Sequence, residues 1–163
     1  MFKRIKQFYN YMTANVDAED KMYLDKCLNT DERNLFDKLS VHEQKHSINV
    51  AKDVENICDK NSMNSSNLVK AALMHDIGKL KAKMNIIEKS IIVILDNISK
   101  GRIKRFTKLE KIYVYYNHPD DGAKILEELN ENSRILYLIR NHHNKSIKDD
   151  LELSILKICD DRN

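Results

Sequence analysis

Residues 67–79 read NLVKAALMHDIGK, and the fold turns on how that stretch is read. Val69, Ala72, Leu73 and Asp76 recur three and four residues apart, the period of a helix with one inward side. Asn67 or Ser66 is the expected cap, and Gly78 stands where a helix C-terminus calls for a left-handed residue. A helix ending on His75-Asp76 is the expectation.

The same period continues on both sides. Upstream, Ser40-Val41-His42-Glu43 spells a capping box, and the helix it opens runs to about Cys58 with Val50, Ala51, Val54, Ile57 and Cys58 as its core stripe. Before it, Asp17 with Glu19 and Asp20, then Thr30-Asp31-Glu32, can each start a short helix, because acids favour a helix N-terminus. Downstream, residues 84–98 hold the β-branched run Ile91-Ile92-Val93-Ile94. That run could pass for a strand, but the length of the apolar element favours a helix, with residues 91–95 as buried core. Gly101 breaks it. Pro119, the only proline, fits the first turn of a helix over residues 120–129. Ser133 is read as the cap of a helix aligning Ile135, Leu138, Ile139 and His142. A last helix over residues 150–160 aligns Leu153, Leu156 and Asp160.

Composition agrees with an all-α, compact helical bundle: 42% hydrophobic and 33% charged residues, with 3 Gly and 1 Pro to make turns. The 163 residues suit one core. Residues 1–39 read as an N-terminal helical extension packed on a domain of residues 40–163. A net charge of +3 is too small to predict a nucleic-acid partner. Cys27, Cys58 and Cys159 form no CxxC pair and read as reduced thiols, so a cytoplasmic setting is expected. No stretch approaches the roughly 20 apolar residues of a membrane span, and the N-terminus lacks the pattern of a signal peptide. Residues 2–12 can form a basic amphipathic helix with Phe2, Ile5, Tyr9 and Met12 on one face. Docking of that face on the domain is expected ahead of attachment to a membrane surface.

Six histidines remain: His42, His46, His75, His118, His142 and His143. Any one of them alone reads as a core or capping residue. The set is different, because it falls at helix positions beside further possible ligands, and neutral imidazole with carboxylate is a transition-metal donor set. The string His46, His75-Asp76-Ile77-Gly78-Lys79, His118-Pro119 with Gly122, His142-His143 and Asp160 resembles the HD superfamily of metal-dependent phosphohydrolases. It is nearest to the HDIG and HD-GYP-like branch, and the resemblance covers about residues 40–161.

That resemblance implies two divalent transition metal ions, iron or manganese ahead of zinc, nickel or magnesium. His46, His75, Asp76 and Asp160 would hold one, and Asp76 would bridge to a second held by His118, His142 and His143. It also implies hydrolysis of a phosphomonoester or phosphodiester, with a nucleotide as the expected small phosphorylated substrate, by a metal-activated water. Asp76 and Lys79 would be catalytic, Lys79 by contacting the substrate phosphate; its bland alternative is a helix C-terminal cation. Gly122 reads as a close-packing residue, Glu43 as the capping partner of Ser40, and His42 as a surface histidine or an extra ligand.

Two features depart from the branch. The Gly-Tyr-Pro motif expected after the double histidine is absent, and Asn144 stands where glutamate is usual, which argues against cyclic-di-GMP as substrate. The basic residues Lys81, Lys83, Lys89, Lys100, Arg102, Lys104, Arg105, Lys108 and Lys111 read as a solvated surface or as a rim attracting phosphorylated ligands. Phe106, Tyr113, Tyr115 and Tyr116 could stack a base, but the core is where they are expected. A non-catalytic HD module, or a mixed-valent di-iron oxygenase, would use the same ligands.

Overall fold

The computed structural model describes residues 13–82 and 84–163. The amphipathic face read in residues 2–12, and Lys83 of the basic run, lie outside them. Among the described residues there are eight α-helices, two 3-10 turns and no strand. The helices are α1 (Ala18–Cys27), α2 (Thr30–Phe36), α3 (Val41–Lys60), α4 (Ser66–Met74), α5 (Ile86–Ser99), α6 (Glu110–Glu127), α7 (Ser133–Asn141) and α8 (Leu151–Arg162). The 3-10 turns, Ile77–Lys81 and Arg102–Phe106, follow α4 and α5. No helix among the described residues is long and apolar enough to cross a membrane.

Local chemistry explains most helix starts. Asp17, Asn29, Ser40 and Asn85 each close a capping box with the acid three residues on, satisfying two orphan backbone N–H groups reciprocally. Asn132 and Asp150 cap α7 and α8 with one side-chain bond each; Ser133 is therefore the first helical residue and not the cap. Ser65 precedes α4 without a side-chain cap, and neither Ser66 nor Asn67 fills that role.

One apolar core joins all but α5: Leu24, Phe36, Ile48, Val54, Leu68, Leu73, Leu126, Leu138 and Leu156 belong to it. Buried acids fasten the short N-terminal helices. Asp20 takes Lys45 and Lys52, and Glu32 takes Lys70, whose ammonium also reaches Glu131 at 3.3 Å. Arg134 grips Asp150 through two bonds of 2.7 Å and so ties α7 to α8.

Further expectations are corrected. Gly78 is not left-handed; only Gly101 among the described glycines has positive φ, at 79°. Gly78 is there for closeness, since a Cβ on it would lie 2.0 Å from the His118 carbonyl oxygen and 2.7 Å from the Gly122 nitrogen. Gly122 answers it, its own Cβ position being 3.1 Å from the Gly78 nitrogen. The turn after α4 thereby lies directly on α6.

Pro119 lies inside α6, not at its start, and the helix continues to Glu127. A proline has no N–H to give the carbonyl four residues back. That carbonyl, of Tyr115, instead accepts from the His118 ring at 3.2 Å. Another correction concerns residues 91–95, of which only Ile92 is buried while Ile91, Ile94 and Leu95 face solvent. Phe106 is exposed too.

Candidate metal centre

Three histidines use one local device. His75 follows the last residue of α4 and His142 the last of α7; their Nδ1 atoms lie 2.7 Å from the Ala72 carbonyl and 2.6 Å from that of Ile139. The Nδ1 of His118 lies 3.1 Å from the Val114 carbonyl. A carbonyl can only accept, so each ring carries its proton on Nδ1 and keeps a lone pair on Nε2. All three Nε2 atoms are buried and have no hydrogen-bond partner. The rings are neighbours, with centroids 5.0 Å apart for His75–His142 and 5.4 Å for His118–His142.

Two carboxylates face these lone pairs. Asp76 is buried between two rings: Oδ1 is 3.4 Å from His118 Nε2 and Oδ2 is 3.5 Å from His75 Nε2. Asp160, from α8, has Oδ1 3.0 Å from His46 Nε2 and 3.6 Å from His75 Nε2, and Oδ2 4.0 Å from His143 Nδ1. Seven side chains from five segments thus converge: His46, His75, Asp76, His118, His142, His143 and Asp160. Three sets can each bring their ligand atoms within 4.8 Å of one another: His46/His75/Asp76, His118/His142/His143 and His75/His142/Asp160. His143 is the most open of the seven and stands at the mouth.

Electrostatics suit cation binding. Burial pushes the Asp76 carboxyl up, but Lys79, His75, His118 and His46 outweigh it and hold it well below the ordinary value. Asp160 is likewise ionised, with His46 and His75 overcoming its burial. Burial, with Lys79 next, lowers His118 to about 3, and burial with three neighbouring histidines puts His142 well below its ordinary value. Burial also lowers His46 and His143. His75 is the exception: burial pulls it down, yet Asp76 and Asp160 carry it above its usual value. Ionised carboxylates among mostly neutral imidazoles are what a divalent transition ion takes as ligands. Three orphaned buried lone pairs are costly without a partner, and a cation satisfies all of them. The residues fit the metals.

Lys79 donates to Asp76 Oδ2 from the turn after α4, so its ammonium lies at the centre. Sequence reasoning had left Lys89 within the general basic run, and the structure singles it out. Much of this side chain is open to solvent, yet its ammonium feels Lys79 first and then burial, which together lower it to about 8. Other members of the run are engaged elsewhere. Lys81 binds buried Asp121 at 2.7 Å, Lys111 pairs with Glu88, and Lys104 lies over the Tyr116 ring. His42, one turn before His46, is half-buried and lowered to about 4 by burial and by Lys89, His46 and Lys79. Glu43 serves Ser40 as its capping partner. No cysteine offers a thiolate: burial raises all three, Cys159 to about 11.

Helical architecture and a clustered His/Asp centre define a class, the all-α domain with a metal-capable core. The family model described as HD domain matches residues 44–162, and the chain belongs to the HD domain family. HD domains are generally metal-dependent hydrolases. Comparison with curated proteins and with solved structures gave no match.

Proposed function

We propose that this chain is a metal-dependent phosphohydrolase acting on a phosphomonoester or phosphodiester, with nucleotides first among the substrates to test. The observation that carries this reading is the set of three buried Nε2 atoms without a hydrogen-bond partner, clustered with ionised Asp76 and Asp160. His46, His75, Asp76 and Asp160 would hold one divalent transition ion. His118, His142 and His143 would hold a second, with Asp76 offering one oxygen to each side. When bound, such ions supply Lewis acidity and lower the pKa of water.

The chain's own groups do the rest. The backbone carbonyls behind His75, His118 and His142 orient each ring with Nδ1 turned away and Nε2 facing the cluster. Lys79 holds one ammonium against Asp76, and Lys89 on α5 feels that charge strongly enough to be lowered to about 8. Phosphoryl oxygens are the matching ligand, and the two lysines would position them and offset their charge. The spelling His75-Asp76-Ile77-Gly78-Lys79 favours an HDIG-like relative, and the absence of Gly-Tyr-Pro after His143 favours a substrate other than cyclic-di-GMP.

The test begins with metal analysis of protein purified without chelator. A phosphatase and phosphodiesterase panel with Mn²⁺ or Fe²⁺ follows. Asp76→Ala and His75→Ala are expected to lose metal and turnover while keeping the helical circular dichroism of the parent. Equal turnover by the parent and both variants would reject the assignment.

A further inference from the structure

Helix α5 is inverted. Its inward side carries the polar groups: Glu88 takes Lys111, and Asp96 accepts from the Tyr116 hydroxyl. Among the described side chains of α5, only Ile92 is buried with them. The opposite side is a row of large aliphatic residues in solvent, with Ile87 67% exposed, Ile91 50%, Ile94 47%, Leu95 45% and Ile98 76%. A surface helix ordinarily turns its apolar stripe to the core, and a contiguous exposed patch of this kind marks a contact surface. Because the inward anchors are specific ion pairs and hydrogen bonds, the outward stripe does not result from a helix placed the wrong way round.

We propose that this face pairs with the same face of a second copy of the chain, the two α5 helices antiparallel. Three observations select that occupant. The residues Ile87, Ile91, Ile94 and Ile98 are spaced four, three and four apart, the seam of a two-helix coiled coil. The seam is also symmetric about its midpoint between Ile92 and Val93. A two-fold axis there sets Ile87 against Ile98 of the other copy and Ile91 against Ile94, as a self-complementary interface requires.

Charge fixes the direction. The C-terminal end of α5 runs into Lys100 and Arg102, both exposed, while Glu88 lies at its N-terminal end. Glu88 is already paired with Lys111, so the direction rests on the basic ends and the dipoles: antiparallel pairing keeps Lys100 and Arg102 of the two copies apart and opposes the helix dipoles. Parallel pairing would stack the basic ends. A membrane surface fits less well, since it asks for Lys and Arg along the apolar face; here Ser90 and Asn97 lie beside it, and Lys100 and Arg102 come only past its end. One helix pair is smaller than a standard interface of about 800 Å² per partner, so the dimer is a reversible one.

The inference rests on α5 alone and not on the proposed activity. Sedimentation velocity of the full chain across a dilution series is expected to show a dimer at high concentration that dissociates on dilution. Ile91→Glu and Ile94→Glu, both at exposed positions, are expected to remain monomeric at every concentration with unchanged circular dichroism. Under oxidation, Ile87→Cys protein mixed with Ile98→Cys protein is expected to cross-link faster than either variant with itself. A parent that stays monomeric throughout, or a dimer that survives Ile91→Glu, overturns the proposal. So does Ile87→Cys linking fastest to itself, which would mean parallel pairing. Binding of the monomeric parent to anionic phospholipid vesicles, lost in Ile91→Glu, would assign the face to a membrane instead.

Discussion

Lys89 illustrates how one side chain acquires meaning from its neighbours. In the chain it is one lysine of a basic run; in the structure Lys79 and burial lower its ammonium, and its charge in turn helps lower His42. If both lysines hold phosphoryl oxygens, Lys89→Ala should raise KM about tenfold, the equivalent of ~1.4 kcal/mol. Its kcat should stay within a few-fold and its metal content should be unchanged. A parallel loss of bound metal would mean instead that Lys89 supports the ligands. The histidines were legible earlier because their chemistry is rare and their order along the chain is informative. Lys89 was not, because a lysine on a helix is common and only its direction sets it apart.

At the scale of elements, the contact between the turn after α4 and helix α6 does most to build the site. Gly78 and Gly122 let the two backbones touch, which places Asp76 beside His118. Adding a methyl group at Gly78 would force it into the His118 carbonyl, a backbone atom that cannot rotate away. Gly78→Ala should therefore cost about 3 kcal/mol, at the upper end of overpacking effects, seen as a lower urea midpoint. It should also weaken metal binding by separating Asp76 from His118. A variant as stable as the parent would show that the backbones do not meet this closely. The capping box of Ser40 and Glu43 could be read directly from the chain, because a cap is a contact between near neighbours. The place of Pro119 inside α6 could not: local rules favour proline in a first turn, and the helix continues because both of its ends are held by packing.

For the whole molecule, buried ion pairs hold the short N-terminal helices to the bundle. Burial raises the Asp20 carboxyl, but Lys45 and Lys52 outweigh it and keep it below its ordinary 3.8. The unfolded chain then binds this proton more tightly than the folded one. The stabilisation is complete above about pH 3.8 and fades as pH falls through the lower folded value. Asp20→Asn should cost ~2 kcal/mol near pH 7, allowing for partial solvent screening of the two lysines. In urea melts at several pH values, the gap between parent and variant should close only below pH 3.8. A gap that does not change with pH would assign the loss to packing and not to charge.

The chain alone determined that the protein is helical, roughly where each helix runs, and which side chains are equipped to bind metal. These follow from periodicity, caps and donor chemistry, which act over a few residues. Tertiary structure alone decided which side of each helix is covered. The run at residues 91–95 is apolar enough to be core, yet most of it faces outward, because the polar side of α5 found partners on α6. Periodicity shows that a helix has two unlike sides; only the neighbours packed against it decide which one is turned inward.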